Sequence, residues 1–157
     1  MNTCDLCDHY DAQVRVLELP LRDYGGRIAF DGIVSTIKAY EDNSLVRDAV
    51  AEPGHGRVLV IDGGGSMRRS MLGDLLAAKA LDNGWAGVVV FGAIRDSAAI
   101  GAMALGVKAL GTCPRKTDKL GQGLRDVPVQ FGGLLIRPGE WLCADADGVV
   151  LADGVLG

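Results

Sequence analysis

Histidine and cysteine are both scarce in this chain, and their scarcity removes several classes of function. His9 and His55 are the only histidines, and of Cys4, Cys7, Cys113 and Cys143 only the first two stand at a CxxC spacing. With no second pair at ligand spacing, the sequence argues against a structural zinc site. With no strand ahead of them, Cys4 and Cys7 read as ordinary reduced cysteines rather than a thioredoxin-like dithiol. No apolar run approaches the roughly 20 residues that cross a bilayer, and the start, MNTCDLCDHYDA, carries three aspartates where a signal peptide would be basic and then apolar. Positive charge is not in excess either. Sixteen basic against twenty acidic residues leave a net charge of −4, which gives no general attraction to nucleic acid. Arg68-Arg69 and the group Arg115, Lys116, Lys119 read as solvated loop charge. The expectation is a soluble, cytoplasmic protein with neither a nucleic-acid nor a membrane partner. No Walker lysine-serine pair, no G-x-G-x-x-G and no internal repeat are present.

What the chain does contain is a mixture of two kinds of punctuation. At 157 residues it is expected to form a single domain, 1–157, with a core that needs no disulfide. Thr3 to Tyr10 reads as a short helix capped by Thr3, Val14 to Leu19 as a strand stopped by Pro20, and Arg27 to Tyr40 as two strands or one bulged strand. Asp42-Asn43-Ser44 caps a helix running to Val50. Arg57 to Ile61 is a buried strand entering the loop Asp62-Gly63-Gly64-Gly65-Ser66, and the order strand, loop, helix, strand is that of a βαβ unit. A weak helix near Ala98 to Ala104, a strand at Val107 to Leu110 and an exposed loop from Thr112 to Gly123 follow. Beyond Val127, short apolar runs alternate with Gly132-Gly133, Pro138-Gly139 and Asp147-Gly148, the pattern of strands joined by tight turns. The fold class is therefore α/β, a compact sheet or barrel that combines βαβ crossovers with C-terminal hairpins.

The segment Gly73 to Asp96 concentrates the chemistry. Leu72, Leu75, Leu76 and Ala80 recur at helical spacing behind Asp74, Asn83-Gly84 stops the helix, and Val88 to Phe91 is a continuous apolar run of the buried-strand type. Arg95-Asp96 then lies at the carboxyl end of that strand, where ligands collect in open α/β sheets. Taken singly, Asp74 favours a helix N-terminus and Asp96 is a helix cap with a surface arginine beside it. Taken together, they offer one carboxylate for a hard cation, one for its waters, and a planar guanidinium for a carboxylate or keto oxygen. The DGGGS loop is expected to wall the same pocket.

Nearly end to end, the chain resembles the RraA-like family, which contains an inhibitor of ribonuclease E and the metal-dependent 4-hydroxy-4-methyl-2-oxoglutarate aldolases. The likeness runs through Leu6-Cys7-Asp8, Gly25-Gly26-Arg27, Glu41-Asp42-Asn43, Arg57 to Val60 with Asp62-Gly63-Gly64-Gly65-Ser66, Gly84-Trp85, Gly92 to Asp96, Phe131-Gly132-Gly133 and Ala144-Asp145. The aldolase branch is marked by an aspartate, a gap of twenty residues and an arginine-aspartate pair, and Asp74, Leu75 to Ile94, and Arg95-Asp96 meet that pattern. In the inhibitor type the position of Asp96 is not acidic. One departure stands out, because the fuller motif has glycine where this chain has Ser70.

The resemblance implies a swivelling β/β/α domain, a homotrimer or hexamer, and a site near a subunit interface. It implies that Gly73, Asp74, Leu75 and Leu76 bind substrate through their backbone, that Arg95 binds substrate, and that Asp96 binds a divalent cation, Mg2+ or Mn2+, with Asp74 in its outer sphere. Arg95 and Asp74 are then the catalytic pair: Arg95 meets the charge of the developing enolate, and Asp74 supports the water that accepts the hydroxyl proton. The implied activity is retro-aldol cleavage of a small 2-oxo diacid to pyruvate, with oxaloacetate decarboxylation as a second reaction. The alternative is inhibition of ribonuclease E by protein contact. Methyl transfer from S-adenosylmethionine, a label carried by some relatives, is a third option.

Overall fold

A computed structural model describes residues 1–157. The chain runs α1 (Thr3–Tyr10), a 3-10 turn (Asp11–Gln13), β1 (Val14–Val16), β2 (Arg22–Asp23), β3 (Phe30–Lys38), α2 (Ser44–Val50), β4 (Val58–Asp62) and β5 (Ser70–Leu72). It continues with α3 (Asp74–Asp82), β6 (Gly87–Ile94), α4 (Ser97–Gly101), β7 (Gly106–Thr112), β8 (Leu124–Arg125), β9 (Val129–Phe131), β10 (Leu134–Ile136), β11 (Trp141–Asp145) and β12 (Gly148–Ala152). No helix is long and apolar enough to cross a membrane.

The main sheet has the order β1-β12-β11-β3-β4-β6-β7-β2. Its centre, β3-β4-β6-β7, is parallel, and the flanking pairs are antiparallel. The central strands are apolar on both faces, which is what burial on both sides demands. Leu59, Ile61, Val88, Val90, Val107 and Ala109 pack with Val46, Ala49, Ala77, Ala80 and Ile100 of α2, α3 and α4. Val58, Val60 and Val89 point the other way, into a second core with Phe131, Ile136, Leu142 and Leu151 from the C-terminal strands. Helices, parallel sheet and folded-over antiparallel strands thus make the β/β/α layering.

Several boundaries differ from the sequence expectation for physical reasons. Arg27 to Tyr40 holds one nine-residue strand, β3, because its partners β11 and β4 take over from each other along its length. The strand expected over Val14 to Leu19 ends at Val16: the Leu17 amide makes one last bond to Val149 O of β12, and the Glu18 amide turns away to Gly132 O. The first helix is capped by Asn2, in a capping box with Asp5, and not by Thr3, whose hydroxyl and amide both donate to Asp145. The outer edge of β7 is covered by β2 and the residues after it: Asp23 pairs with the buried Lys108 at 2.9 Å, the amides of Tyr24 and Gly25 donate to Val107 O, and those of Gly26 and Arg27 donate to Met103 and Leu105 just ahead of the strand.

Candidate active site

The carboxyl ends of β5 and β6 converge on the start of α3. The β6 strand delivers Arg95 and Asp96, and Asp96 adopts a left-handed backbone at φ 57°, which aspartate tolerates better than most residues. That twist turns its side chain away from its own helix: α4 receives no side-chain cap from Asp96. Asp96 Oδ2 instead accepts the backbone N–H of Asp74 at 3.0 Å, bridging to α3, and lies 3.9 Å from Arg95 Nε.

The approach is possible because residue 73 is glycine. A Cβ there would stand 3.0 Å from Asp96 Oδ2 and 3.3 Å from Arg95 Nε. Gly73 also starts α3 without a side-chain cap. The first amides of a helix have no intrahelical acceptor, and here only that of Asp74 is met by the protein, leaving those of Leu75 and Leu76 free beside the positive end of the helix.

A cavity of about 310 Å3 opens over this helix start, lined by Gly73, Asp74, Leu75 and Leu76, by Ser70 and Asn43, and by five cations: Arg47, Lys79, Arg95, Lys116 and Lys119. Against these stands the single carboxylate of Asp74 on the wall, with Asp96 adjoining it. Arg95 and Asp96 are each a little over one-third exposed, accessible to a ligand without being loose surface charge. Ser70 is buried in β5 with its hydroxyl donating to Leu72 O at 2.9 Å, and its backbone is not left-handed, so this position does not require glycine.

The glycine loop after β4 does not wall this cavity. Gly63 and Gly65 donate to Phe91 O, and Gly64 donates to Asp62 Oδ1 at 2.9 Å, so the amides that would hold a phosphate are already engaged. The loop faces Tyr40 across a neighbouring hollow. Beside it Arg68 grips Glu41 through two bonds of 2.7 and 2.9 Å, which together with the Ser66 hydroxyl hold the Glu41 carboxyl below its ordinary range.

A model of the RraA-like family, described as Aldolase/RraA, matches residues 3–151. The chain belongs to that family. It is 57% identical over 150 residues to a protein of Alkalilimnicola ehrlichii named "Putative 4-hydroxy-4-methyl-2-oxoglutarate aldolase", covering 96% of this chain and 93% of the relative. A protein of Ectopseudomonas mendocina with the same name is 54% identical, with 98% and 95% covered. Among solved structures, an S-adenosylmethionine:2-dimethylmenaquinone methyltransferase from Geobacillus kaustophilus superposes with a TM-score of 0.98 at 51% identity, covering 99% of this chain and 97% of the other. The RNA-processing inhibitor RraA from Thermus gives 0.97 at 42%, covering 100% and 95%. The swivelling β/β/α expectation stands on this agreement.

In this RraA-like chain, Gly73, Asp74, Leu75, Leu76, Arg95 and Asp96 all meet at one place. Sequence reasoning missed Arg47, Lys79, Lys116 and Lys119. The two loop lysines, read as solvated charge, line the cavity, while Arg68 and Arg69 do not. Lys79 had a legible signal, since it falls one helical turn after Leu75 and so shares its face.

Proposed function

We propose that this protein is a lyase that cleaves the C3–C4 bond of 4-hydroxy-2-oxo diacids, 4-hydroxy-4-methyl-2-oxoglutarate among them, releasing pyruvate and decarboxylating oxaloacetate as a second reaction. The observation that carries this reading is the charge of the cavity, in which five cations and two free helix-start amides surround one carboxylate. Such a lining suits a small dianion. It does not suit S-adenosylmethionine, whose reactive centre is itself a sulfonium cation.

The chain's own residues divide the work as follows. The amides of Leu75 and Leu76 hold the carboxylate next to the keto group, and Arg95 donates to the 2-oxo oxygen, where negative charge grows. The proton of the 4-hydroxyl passes to a water held by Asp74. As the C3–C4 bond breaks, its electron pair becomes the enolate of pyruvate, and the far fragment leaves as a second 2-oxo acid. The enolate carbon then takes back a proton. Lys79, Lys116 and Lys119 are exposed and serve as charges, whereas a Schiff-base lysine is activated by desolvation.

Asp96 is the residue that would hold a divalent cation, with Asp74 in its outer sphere. No group of three or more histidine, cysteine or acidic side chains is placed to hold a metal ion, and the one or two carboxylates present fit a weakly held Mg2+ or Mn2+ that keeps most of its waters. When bound, such an ion supplies Lewis-acid polarisation of the keto group. Self-assembly as a homotrimer or hexamer is supported by Leu75, 81% exposed at the cavity, and Leu120, 67% exposed beside Lys119.

Pyruvate release from 4-hydroxy-4-methyl-2-oxoglutarate and oxaloacetate, followed with and without a chelator, tests the proposal. Turnover is expected to vanish with chelator and return with excess Mg2+. Undiminished turnover in chelator would remove the metal from the mechanism, and absence of turnover together with inhibition of ribonuclease E would replace the lyase with a binding protein.

A further inference from the structure

The loop from Cys113 to Gly123 is irregular and mostly exposed, yet one residue in it is buried. Thr117 is 2% exposed, with its Oγ1 donating to Asn43 Oδ1 at 2.6 Å and accepting the Asn43 amide at 3.2 Å. Asn43 and its neighbour Asp42 are buried too, at 6% and 2% exposed. Asp42 Oδ2 accepts the amides of Leu120 and Gln122, both at 3.0 Å, while its Oδ1 takes the amide and hydroxyl of Ser44. Asn43 Nδ2 donates to Met71 O, and Ser70 N donates to Arg115 O at 2.7 Å. A buried polar knot therefore ties together the loop, the start of α2 and the strand β5.

These three elements bring the cations to the cavity. Lys116 and Lys119 lie in the loop on either side of Thr117, Arg47 lies on α2, and β5 leads into Gly73 and α3 with Lys79. Asn43 also lines the cavity, but the knot bonds to none of the reacting groups, since Thr117, Asn43 and Asp42 bond only to one another, to Ser44 and to backbone. An exposed loop of this length without such an anchor would leave its lysines as mobile charge, and mobile charge holds a small anion poorly because each side chain must be ordered on binding.

We infer that Thr117, Asn43 and Asp42 are positioning residues, a latch that holds Lys116 and Lys119 over the cavity and so sets its preference for a ligand with a second, distal carboxylate. The inference rests on the diacid reading of the cavity but is independent of whether bond cleavage follows. The latch acts on binding of the far end and leaves the keto-acid end to Arg95 and the α3 amides.

Equilibrium binding of pyruvate and of 2-oxoglutarate, in Mg2+, separates the two ends, because only 2-oxoglutarate carries the distal carboxylate. The intact protein should prefer 2-oxoglutarate. Thr117→Val keeps the shape and removes both bonds to Asn43, and should lose about tenfold in 2-oxoglutarate affinity while pyruvate binding stays within twofold. Thr117→Ser, which keeps the hydroxyl, should restore the preference. Lys116→Gln/Lys119→Gln alters exposed positions where folding is not at stake and should lose the same preference, after which Thr117→Val should add nothing further. Equal weakening of both ligands by Thr117→Val would make Thr117 a general structural residue and overturn the inference. So would a 2-oxoglutarate preference that survives Lys116→Gln/Lys119→Gln, whatever Thr117→Val does. A protein that fails to cleave any substrate but shows the predicted binding pattern would overturn the lyase alone.

Discussion

Two helix starts lie side by side in this molecule, and they are finished in opposite ways. At α2 the sequence Asp42-Asn43-Ser44 turns inward: the Asp42 carboxylate is buried among four donors from Ser44, Leu120 and Gln122. Burial pushes this carboxyl up, but the four hydrogen bonds prevail and hold it at about 2. At α3 the sequence Gly73-Asp74 supplies no cap of its own; the only side chain that reaches the helix start is Asp96 from another strand, and two amides remain open under five cations. Each start leaves the amides of its second and third residues unmet, but α2 is closed because it begins inside a buried polar cluster, while α3 is open because its free amides lie at the wall of a cavity lined by cations. The contrast separates residues whose loss should unfold the protein from residues whose loss should only silence it.

The strongest test of the open side is Asp96→Asn, which keeps the shape and removes the anion. Turnover should fall by about 10²- to 10³-fold, with an unchanged melting curve. Parental activity in a folded Asp96→Asn protein would reduce Asp96 to a cap for α3. Next comes the closed side, where Asp42→Asn places an amide N–H₂ against donors and should cost about 2 kcal/mol of stability in denaturant unfolding at pH 7. The sign of the pH effect follows from the lowered carboxyl: its contribution is complete above an ordinary aspartate value near 4 and is lost as pH falls towards about 2. The variant's stability should therefore vary less than the parent's over that window, and identical acid profiles would count against the assignment. The smallest effect is expected for Gly73→Ala, whose methyl would press on Asp96 Oδ2 and Arg95 Nε, the flexible ends of two side chains. About a tenfold loss of turnover is expected, with little change in thermal melting. A loss of stability without loss of activity would show that α3 does not present its start to substrate.

The open start was legible in the sequence and the closed one only partly. Asp74, Arg95 and Asp96 stand at boundaries marked by local signals, the helical spacing of Leu72 to Ala80 and the apolar run Val88 to Phe91, and both elements occur as α3 and β6. The C-terminal strands were equally plain because each pair is closed by a glycine turn. Asp42-Asn43-Ser44 read correctly as a helix start, but its other partners lie more than 70 residues away, at Thr117, Leu120 and Gln122. Nothing periodic in Thr112 to Gly123 announces that Thr117 is buried, so Lys116 and Lys119 looked like solvated charge. The short strands β2, β5 and β8 were missed because two or three residues carry no period; their neighbours impose them.

The covering of β7 by the segment from Arg22 to Arg27 also bears on how the folded protein behaves when crowded with copies of itself. A sheet edge is a template for another chain's strand, and the two ends of this sheet are β1 and β2, three and two residues long. Beyond β2 the amides of Tyr24 and Gly25 both donate to Val107 O of β7, those of Gly26 and Arg27 bond Met103 and Leu105 just ahead of it, and Asp23 is fastened to Lys108. A passing strand therefore finds too few unpaired groups to zip onto, so the folded chain should resist amyloid-like addition at its edges, and any contact between copies is left to side-chain surfaces.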